Sequence, residues 1–260
     1  MSYANPAGYE RFMGRWSALL APAFLRFAQV QDDQHVLDVG CGTGVMSRAI
    51  ISSGATVRVT GVDPSAEYLA FAARGARADR ARFEVGSAEA LPFAAGAFDA
   101  ALALLVLQDF DEPARAVREM ARVTCPEGIV AACIWDFEHG LPMLSLLRQA
   151  AEALAPDEAQ SRSRRHQAGL EELGALWKEC GLHDVVTETF EIGMAFASFE
   201  DYWQPVLGRS TPTSAMVARV DKQTGGALAR LLREKIAGMQ PDGSLVLPAR
   251  AFAVRGLARR

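Results

Sequence analysis

From Val36 onward, short apolar runs of strand length alternate with stretches whose apolar residues recur at helical spacing. Consecutive strands separated by helices pair in parallel through crossover connections, so this rhythm restricts the chain to β–α units stacked around a mostly parallel sheet. Strands are expected near 35–39, 57–62, 81–85, 97–104 and 128–135, with helices over 44–53, 65–77 and 112–123. In the last of these, Ala116, Val117, Met120 and Val123 share one face, and Asp111-Glu112-Pro113 offers a cap, an acidic first turn and a proline at the helix start.

The flanks follow a different pattern. Residues 8–28 read as an amphipathic helix interrupted at Pro22, and the aromatics Tyr9, Phe12, Trp16, Phe24 and Phe27 suit packing on a sheet. After Trp135, helices are expected over 142–155 and 170–180, separated by a polar stretch ending in SRSRRHQAG that reads as a solvated loop. Apolar alternations over Val185–Ile192 and Leu245–Val254 complete the sheet as its last, partly antiparallel strands, with 198–238 inserted between them. The fold class is therefore α/β: a doubly wound, mostly parallel seven-stranded sheet with helices on both faces, an N-terminal helical lid and a helical insertion before the last strand.

At 260 residues, 50% hydrophobic and 22% charged, the chain has the make-up of a globular protein with a full core. A formal net charge of -4 supplies no general attraction for phosphate backbones, which argues against nucleic acid as a partner. Cys41, Cys125, Cys133 and Cys180 lie far apart without a C-x-x-C pair, and the N-terminal stretch has no signal-peptide pattern, so a cytoplasmic setting is expected. No apolar run reaches the roughly 18 residues that argue a membrane span, and the longest candidate, 100–107, has strand length.

The stretch VLDVGCGTG, residues 36–44, places Gly40, Gly42 and Gly44 on the first β–α turn. In a doubly wound sheet that turn floors the ligand crevice, and glycines there let backbone touch a ligand. The helix that follows aims its free N–H groups and positive dipole end at the same spot. A dinucleotide fingerprint is G-x-G-x-x-G, whereas this pattern is G-x-G-x-G with Val45 where the third dinucleotide glycine would stand. Asp38 adds an acceptor suited to a cationic amino group. The second strand, VRVTGVD, ends in Asp63, where a carboxylate can accept both hydroxyls of a ribose. Its structural alternative is an N-cap before PSAEYLAFA, with Pro64 at the first helical position.

Together, VLDVGCGTG, VTGVDPS, GSAEALPF, FDAALALLVLQDF and ARAVREMARVTCPEGIVAACIWD resemble the successive motifs of class I S-adenosylmethionine-dependent methyltransferases, Rossmann-like enzymes. The branch they are most similar to acts on small molecules and includes the ubiquinone and menaquinone C-methyltransferases. The likeness covers residues 35–136, and YERFMGRWS resembles the N-terminal lid segment of many such enzymes. It implies a lid at 1–34, a cofactor-binding core at 35–136 and completion of the sheet with cap insertions at 137–260, in a single domain overall. S-adenosyl-L-methionine is the implied cofactor. Gly40, Cys41, Gly42 and Gly44 would border its methionine moiety, with Asp38 near the ammonium group, and Asp63 would hold the ribose. Pro64 and Tyr68 would flank the adenine, Ser87, Ala88 and Glu89 after Gly86 would meet its edge, and Leu104 completes the implied contacts. Two positions depart from the family: Ser87 stands where an aspartate is common, and Leu107-Gln108-Asp109 replaces the frequent LHH.

Methyl transfer from a sulfonium is an in-line displacement, governed chiefly by alignment in a water-poor pocket, and a base matters only if the acceptor must lose a proton. WDFEHG follows the fifth strand, which makes His139 the first candidate base, with Asp136 and Glu138 beside it. A metal reading of these three lacks a second carboxylate cluster, so no metal is assigned. His35, His166 and His183 sit outside the expected crevice. In the lid, Tyr9 is a candidate contact to donor or acceptor and Arg15 a partner for the donor's carboxylate. Phe196, Phe199, Tyr202 and Trp203 suit an apolar or aromatic small acceptor, or ordinary packing of the cap. No NPPY or DPPY follows the fourth strand, against methylation of base amino groups. A second copy of the chain is the candidate protein partner. The alternative function is a non-methylating S-adenosylmethionine-binding enzyme, or a regulatory protein, on the same scaffold.

Overall fold

The computed structural model describes residues 5–154, 168–208, 217, 219–236 and 239–259. Seven strands form one sheet: β1 (His35–Val39), β2 (Arg58–Asp63), β3 (Ala81–Val85), β4 (Phe98–Leu104), β5 (Thr124–Trp135), β6 (His183–Phe196) and β7 (Leu245–Leu257), in the order β3-β2-β1-β4-β5-β7-β6. The pairs β1–β2, β2–β3, β1–β4 and β4–β5 are parallel, and β7 runs antiparallel to β5. The strand order reverses between β1 and β4, which puts the turn after β1 at the position where doubly wound sheets bind their ligands.

The chain divides into two compact units. The larger comprises the described residues within 16–135, 166–190 and 251–260. Its helices include α3 (Val45–Ser53), α4 (Ala66–Arg74), α5 (Pro113–Val123) and α7 (Leu170–Glu179). Leu37, Val39, Ala101, Ala103, Val130, Ala132 and Ile134 of the central strands form one core cluster with Ala116, Val117, Met120 and Val123 of α5 and Leu173 and Trp177 of α7. The strands are buried on both faces, as a covered parallel sheet requires, and their many alanines let helices approach the backbone closely. Trp177 is the largest side chain in the cluster, and its indole N–H donates to the Val130 carbonyl at 2.9 Å.

The smaller unit comprises the described residues within 1–15, 136–165 and 191–250. It holds α1 (Pro6–Tyr9), a π-helical turn (Glu10–Gly14), α6 (Pro142–Leu154), α8 (Phe199–Val206) and α9 (Lys222–Lys235). The aromatics of the late insertion pack on one another: Tyr202 meets Phe196 edge-on at 5.5 Å and Phe199 at 5.9 Å, while Trp203 stacks on Phe199 at 6.4 Å. The Tyr202 hydroxyl donates to the Met143 carbonyl at 2.9 Å.

Three local expectations need correction. Helix α2 (Arg15–Ala28) runs unbroken through Pro22, and the irregularity falls earlier, at the π-helical turn. Eight buried residues along α2 supply enough packing to offset the one backbone bond that proline removes. Strand β5 begins at Thr124, four residues before the apolar run that announces it, since Phe98 already pairs with Thr124 ahead of a register shift. Helix α5 has Glu112 at its N-cap with no side-chain cap, and no acidic residue lies in its first turn. The stretch SRSRRHQAG lies, up to residue 167, outside the described residues, as does His166.

Replacing Trp177 with alanine removes the largest core contact and one buried hydrogen bond, so unfolding stability measured by urea titration is expected to fall by about 3–5 kcal/mol.

Candidate cofactor site

Strand β1 ends at Val39, and the chain then reverses through Gly40, Gly42 and Gly44 at φ of 66°, 51° and 81° before α3 starts at Val45. Positive φ at three alternate residues is what the G-x-G-x-G spacing provides for. The three glycines nevertheless do different work. A Cβ on Gly40 would stand 2.6 Å from Cγ2 of Val106, and one on Gly44 2.9 Å from Cβ of Ala72, so both positions are closed by the protein's own side chains. A Cβ on Gly42 would meet nothing nearer than Tyr68 at 3.7 Å. Gly42 is the glycine whose face stays open.

The turn is fastened to β2. The amides of Gly40 and Cys41 both donate to the Val62 carbonyl, at 2.8 and 3.1 Å, and the Gly42 amide donates to Oδ2 of Asp63 at 3.0 Å. The other Asp63 oxygen accepts from the Ser65 amide at 2.9 Å. Burial raises the pKa of this carboxyl above the usual value. Capping of α4 falls to Ser65, whose hydroxyl accepts from the Tyr68 amide, so Pro64 precedes the cap and Asp63 is not an N-cap residue. Asp63 is left as a carboxylate held by two backbone amides at the tip of β2, beside the open face of Gly42.

Asp38, on β1, is 1% exposed and accepts one side-chain hydrogen bond, from the Ser47 hydroxyl at 2.6 Å. Burial pushes its carboxyl up to about 7, with Asp63 adding to the upward shift. Such a group favours a cation beside it. Cys41 is buried and its thiol is pushed well above the ordinary range by that burial, which makes it a packing residue with little thiolate character.

The loop after β3 is braced internally. The Gly86 amide donates to the Asp63 carbonyl at 3.2 Å, the Ser87 hydroxyl donates to Oε2 of Glu89, and Oε1 of Glu89 accepts from the Asp111 amide at 3.1 Å. Ala88 is buried behind this loop. The glutamate thus links two of the loops at the carboxyl ends of the strands. Leu104 ends β4, and the loop that follows places Val106 against Gly40.

Of the expected set, Asp38, Gly40, Cys41, Gly42, Gly44, Asp63, Pro64, Tyr68, Ser87, Ala88, Glu89 and Leu104 belong to the larger unit. Tyr9, Arg15 and His139 belong to the smaller unit. Tyr9 closes α1. Arg15 holds both oxygens of Asp201, at 2.9 and 3.1 Å, and lies over the Phe196 ring. His139 has a 71% exposed side chain 3.9 Å from Glu138. Asp136 instead bonds the Arg250 guanidinium and accepts from the Glu138 and His139 amides, a structural clasp. No group of three or more His, Cys, Asp or Glu among the described residues could hold a metal ion. Gln108, noted in the sequence only as a departure, is the buried polar residue that motif reading passed over.

The reversing parallel sheet and the glycine turn at its switch point define a Rossmann-like fold of the kind seen in solved methyltransferase structures. Residues 37–132 match the family model described as a methyltransferase domain. Over 131 residues it is 42% identical to a malonyl-[acyl-carrier protein] O-methyltransferase of Pectobacterium atrosepticum, covering 50% of each chain. Over 107 residues it is 40% identical to a ubiquinone/menaquinone biosynthesis C-methyltransferase of Rubrivivax gelatinosus, covering 40% of this chain and 41% of the relative. The chain thus spans about half the length or less of these curated relatives. Among solved structures it resembles the [4+2]-cyclase SpnF at a TM-score of 0.58 and 22% identity, covering 94% of this chain and 82% of that one, a likeness of fold.

Gly40→Ala is expected to lower the thermal midpoint through its clash with Val106 and its positive φ. Adding Val106→Ala to it should recover part of the loss, and a double variant no more stable than Gly40→Ala would show that the two side chains do not compete for this space.

Proposed function

We propose that this protein is an S-adenosylmethionine-dependent methyltransferase acting on a small, apolar or aromatic molecule. The observation that carries this reading is the Asp63 carboxylate, anchored by the amides of Gly42 and Ser65 at the tip of β2, within a matched methyltransferase domain. Its fixed oxygens suit the two hydroxyls of a ribose. The open backbone at Gly42 suits the amino-acid end of the cofactor, and the buried Asp38 suits an ammonium group. Tyr68 offers a flat apolar contact for adenine, with the loop from Ser87 to Glu89 at its edge.

When bound, S-adenosylmethionine supplies a methyl group on a cationic sulfur. The work of this chain is then to hold two reactants in line and keep water away, because methyl transfer leaves a neutral thioether and needs little proton movement. His139 and Tyr9 are the residues proposed to serve an acceptor that must lose a proton, and Arg15 is proposed as the partner of the cofactor carboxylate. Among the described residues no helix is long and apolar enough to cross a membrane. A cytoplasmic location, a small-molecule acceptor with no role for nucleic acid, and a homodimer complete the proposal.

Asp63→Ala is expected to weaken S-adenosylhomocysteine binding by tenfold or more in calorimetry with the fold intact by circular dichroism; unchanged affinity would overturn the reading. Formation of S-adenosylhomocysteine from S-adenosylmethionine on addition of candidate acceptors then separates methyl transfer from binding without transfer. The pH profile gives a second check. In the free protein Asp38 favours its neutral form up to about 7, so its contribution to stability declines as the pH rises from roughly 4 through 7. A bound ammonium group favours the ionised form, so affinity should weaken as the pH falls through 7, and Asp38→Asn should flatten that profile.

A further inference from the structure

The loop after β4 contains a polar group that neither the core nor the proposed cofactor contacts use. Leu105 sits at φ of 59°, in the left-handed region that a leucine side chain disfavours. The reversal is held from both sides. The Leu105 amide donates to the Cys133 carbonyl at 2.7 Å, and its carbonyl accepts from Nε2 of Gln108 at 2.6 Å. The same nitrogen donates to Oδ2 of Asp109 at 3.1 Å. Both amide hydrogens of Gln108 are therefore engaged, and both neighbours are acceptors. Turning the amide over would set its oxygen against a carbonyl and a carboxylate, so its orientation is determined.

That leaves Oε1. Gln108 is 3% exposed, and this oxygen is buried with no hydrogen-bond partner among the described residues. A buried acceptor in that condition calls for an incoming donor. Val106, two residues earlier, packs on Gly40, so the loop lies against the glycine turn within the same compact unit. An ammonium group carries three hydrogens and no acceptor, while Asp38 already takes a hydrogen bond from Ser47. A neutral amide oxygen adds an acceptor without adding a further negative charge to those of Asp38, Asp63 and Asp109.

We propose that Gln108 is a cofactor-binding residue whose Oε1 accepts a hydrogen bond from the α-ammonium group of S-adenosylmethionine; this rests on the cofactor reading above. The test compares two ligands by calorimetry: S-adenosylhomocysteine, which has the amino-acid end, and 5′-methylthioadenosine, the same nucleoside thioether without it. Gln108→Met is expected to bind S-adenosylhomocysteine about tenfold more weakly with methylthioadenosine affinity unchanged. Gln108→His can donate through one ring nitrogen and accept through the other, and should keep the ratio of the two affinities at that of the native protein while the imidazole is neutral. Equal losses for both ligands would reduce Gln108 to a latch on Leu105, and no loss for either would assign Oε1 to a water or the methyl acceptor; each overturns the proposal. Should Gln108→Met fail to fold, Gln108→His serves in its place: a ratio that falls more than the native protein's as the imidazole protonates supports the proposal, and one that does not overturns it. A native protein that binds neither nucleoside removes the cofactor reading itself, and this inference with it.

Discussion

The hydrogen bond from the Gly42 amide to the Asp63 carboxylate joins the end of one strand to the turn that leaves its neighbour. Everything proposed about the site depends on it, because it makes the position of an acidic oxygen a property of the sheet rather than of a side-chain rotamer. The Val62 carbonyl, taking the amides of Gly40 and Cys41, reinforces the link one residue earlier. Parallel pairing of β1 with β2 in step, from His35 with Arg58 to Val39 with Val62, is what brings the two ends level. Preorganisation of this kind lets a site bind without first ordering its own groups.

The same region shows why a glycine motif carries more than one kind of information. Gly40 and Gly44 are small because Val106 and Ala72 occupy the adjoining space, and only Gly42 turns an unfilled side outward. The spacing is thus partly a packing signature and partly a binding one. A comparable division holds for acids: Asp63 holds the amides of Gly42 and Ser65, whereas Asp38 is sunk in the sheet against Ser47.

Strands β1 to β4 and helices α3 to α5 were legible because short strand-length runs alternate with helical stripes, a rhythm that persists even in β3, the largely exposed strand at the sheet edge. The residues proposed to meet the cofactor lie at fixed offsets from strand ends, so their positions in the fold follow from those of the strands. The start of β5 was hidden by Cys125-Pro126-Glu127-Gly128, a stretch with no apolar run, where pairing is set by Phe98 across the sheet. Pro22 misled because burial of its neighbours outweighs local propensity. Nothing local announced the Arg15–Asp201 pair, separated by 186 positions. Gln108 was visible only as a mismatch to a family pattern, since its importance comes from two acceptors folded back upon its amide.

The π-helical turn at Glu10–Gly14 has a consequence for how this chain can vary. A π turn accommodates an added residue by widening the helix, and each helical residue advances the spiral by about 100°. Loss of one residue there would restore ordinary winding and leave Asn5 to Tyr9 facing much as they do now, because the residues of a widened turn advance about as far round the axis as one fewer in an α-helix. A single codon lost at this point is therefore absorbed by the turn itself, without redirecting the segment before it or unfolding the helix behind it.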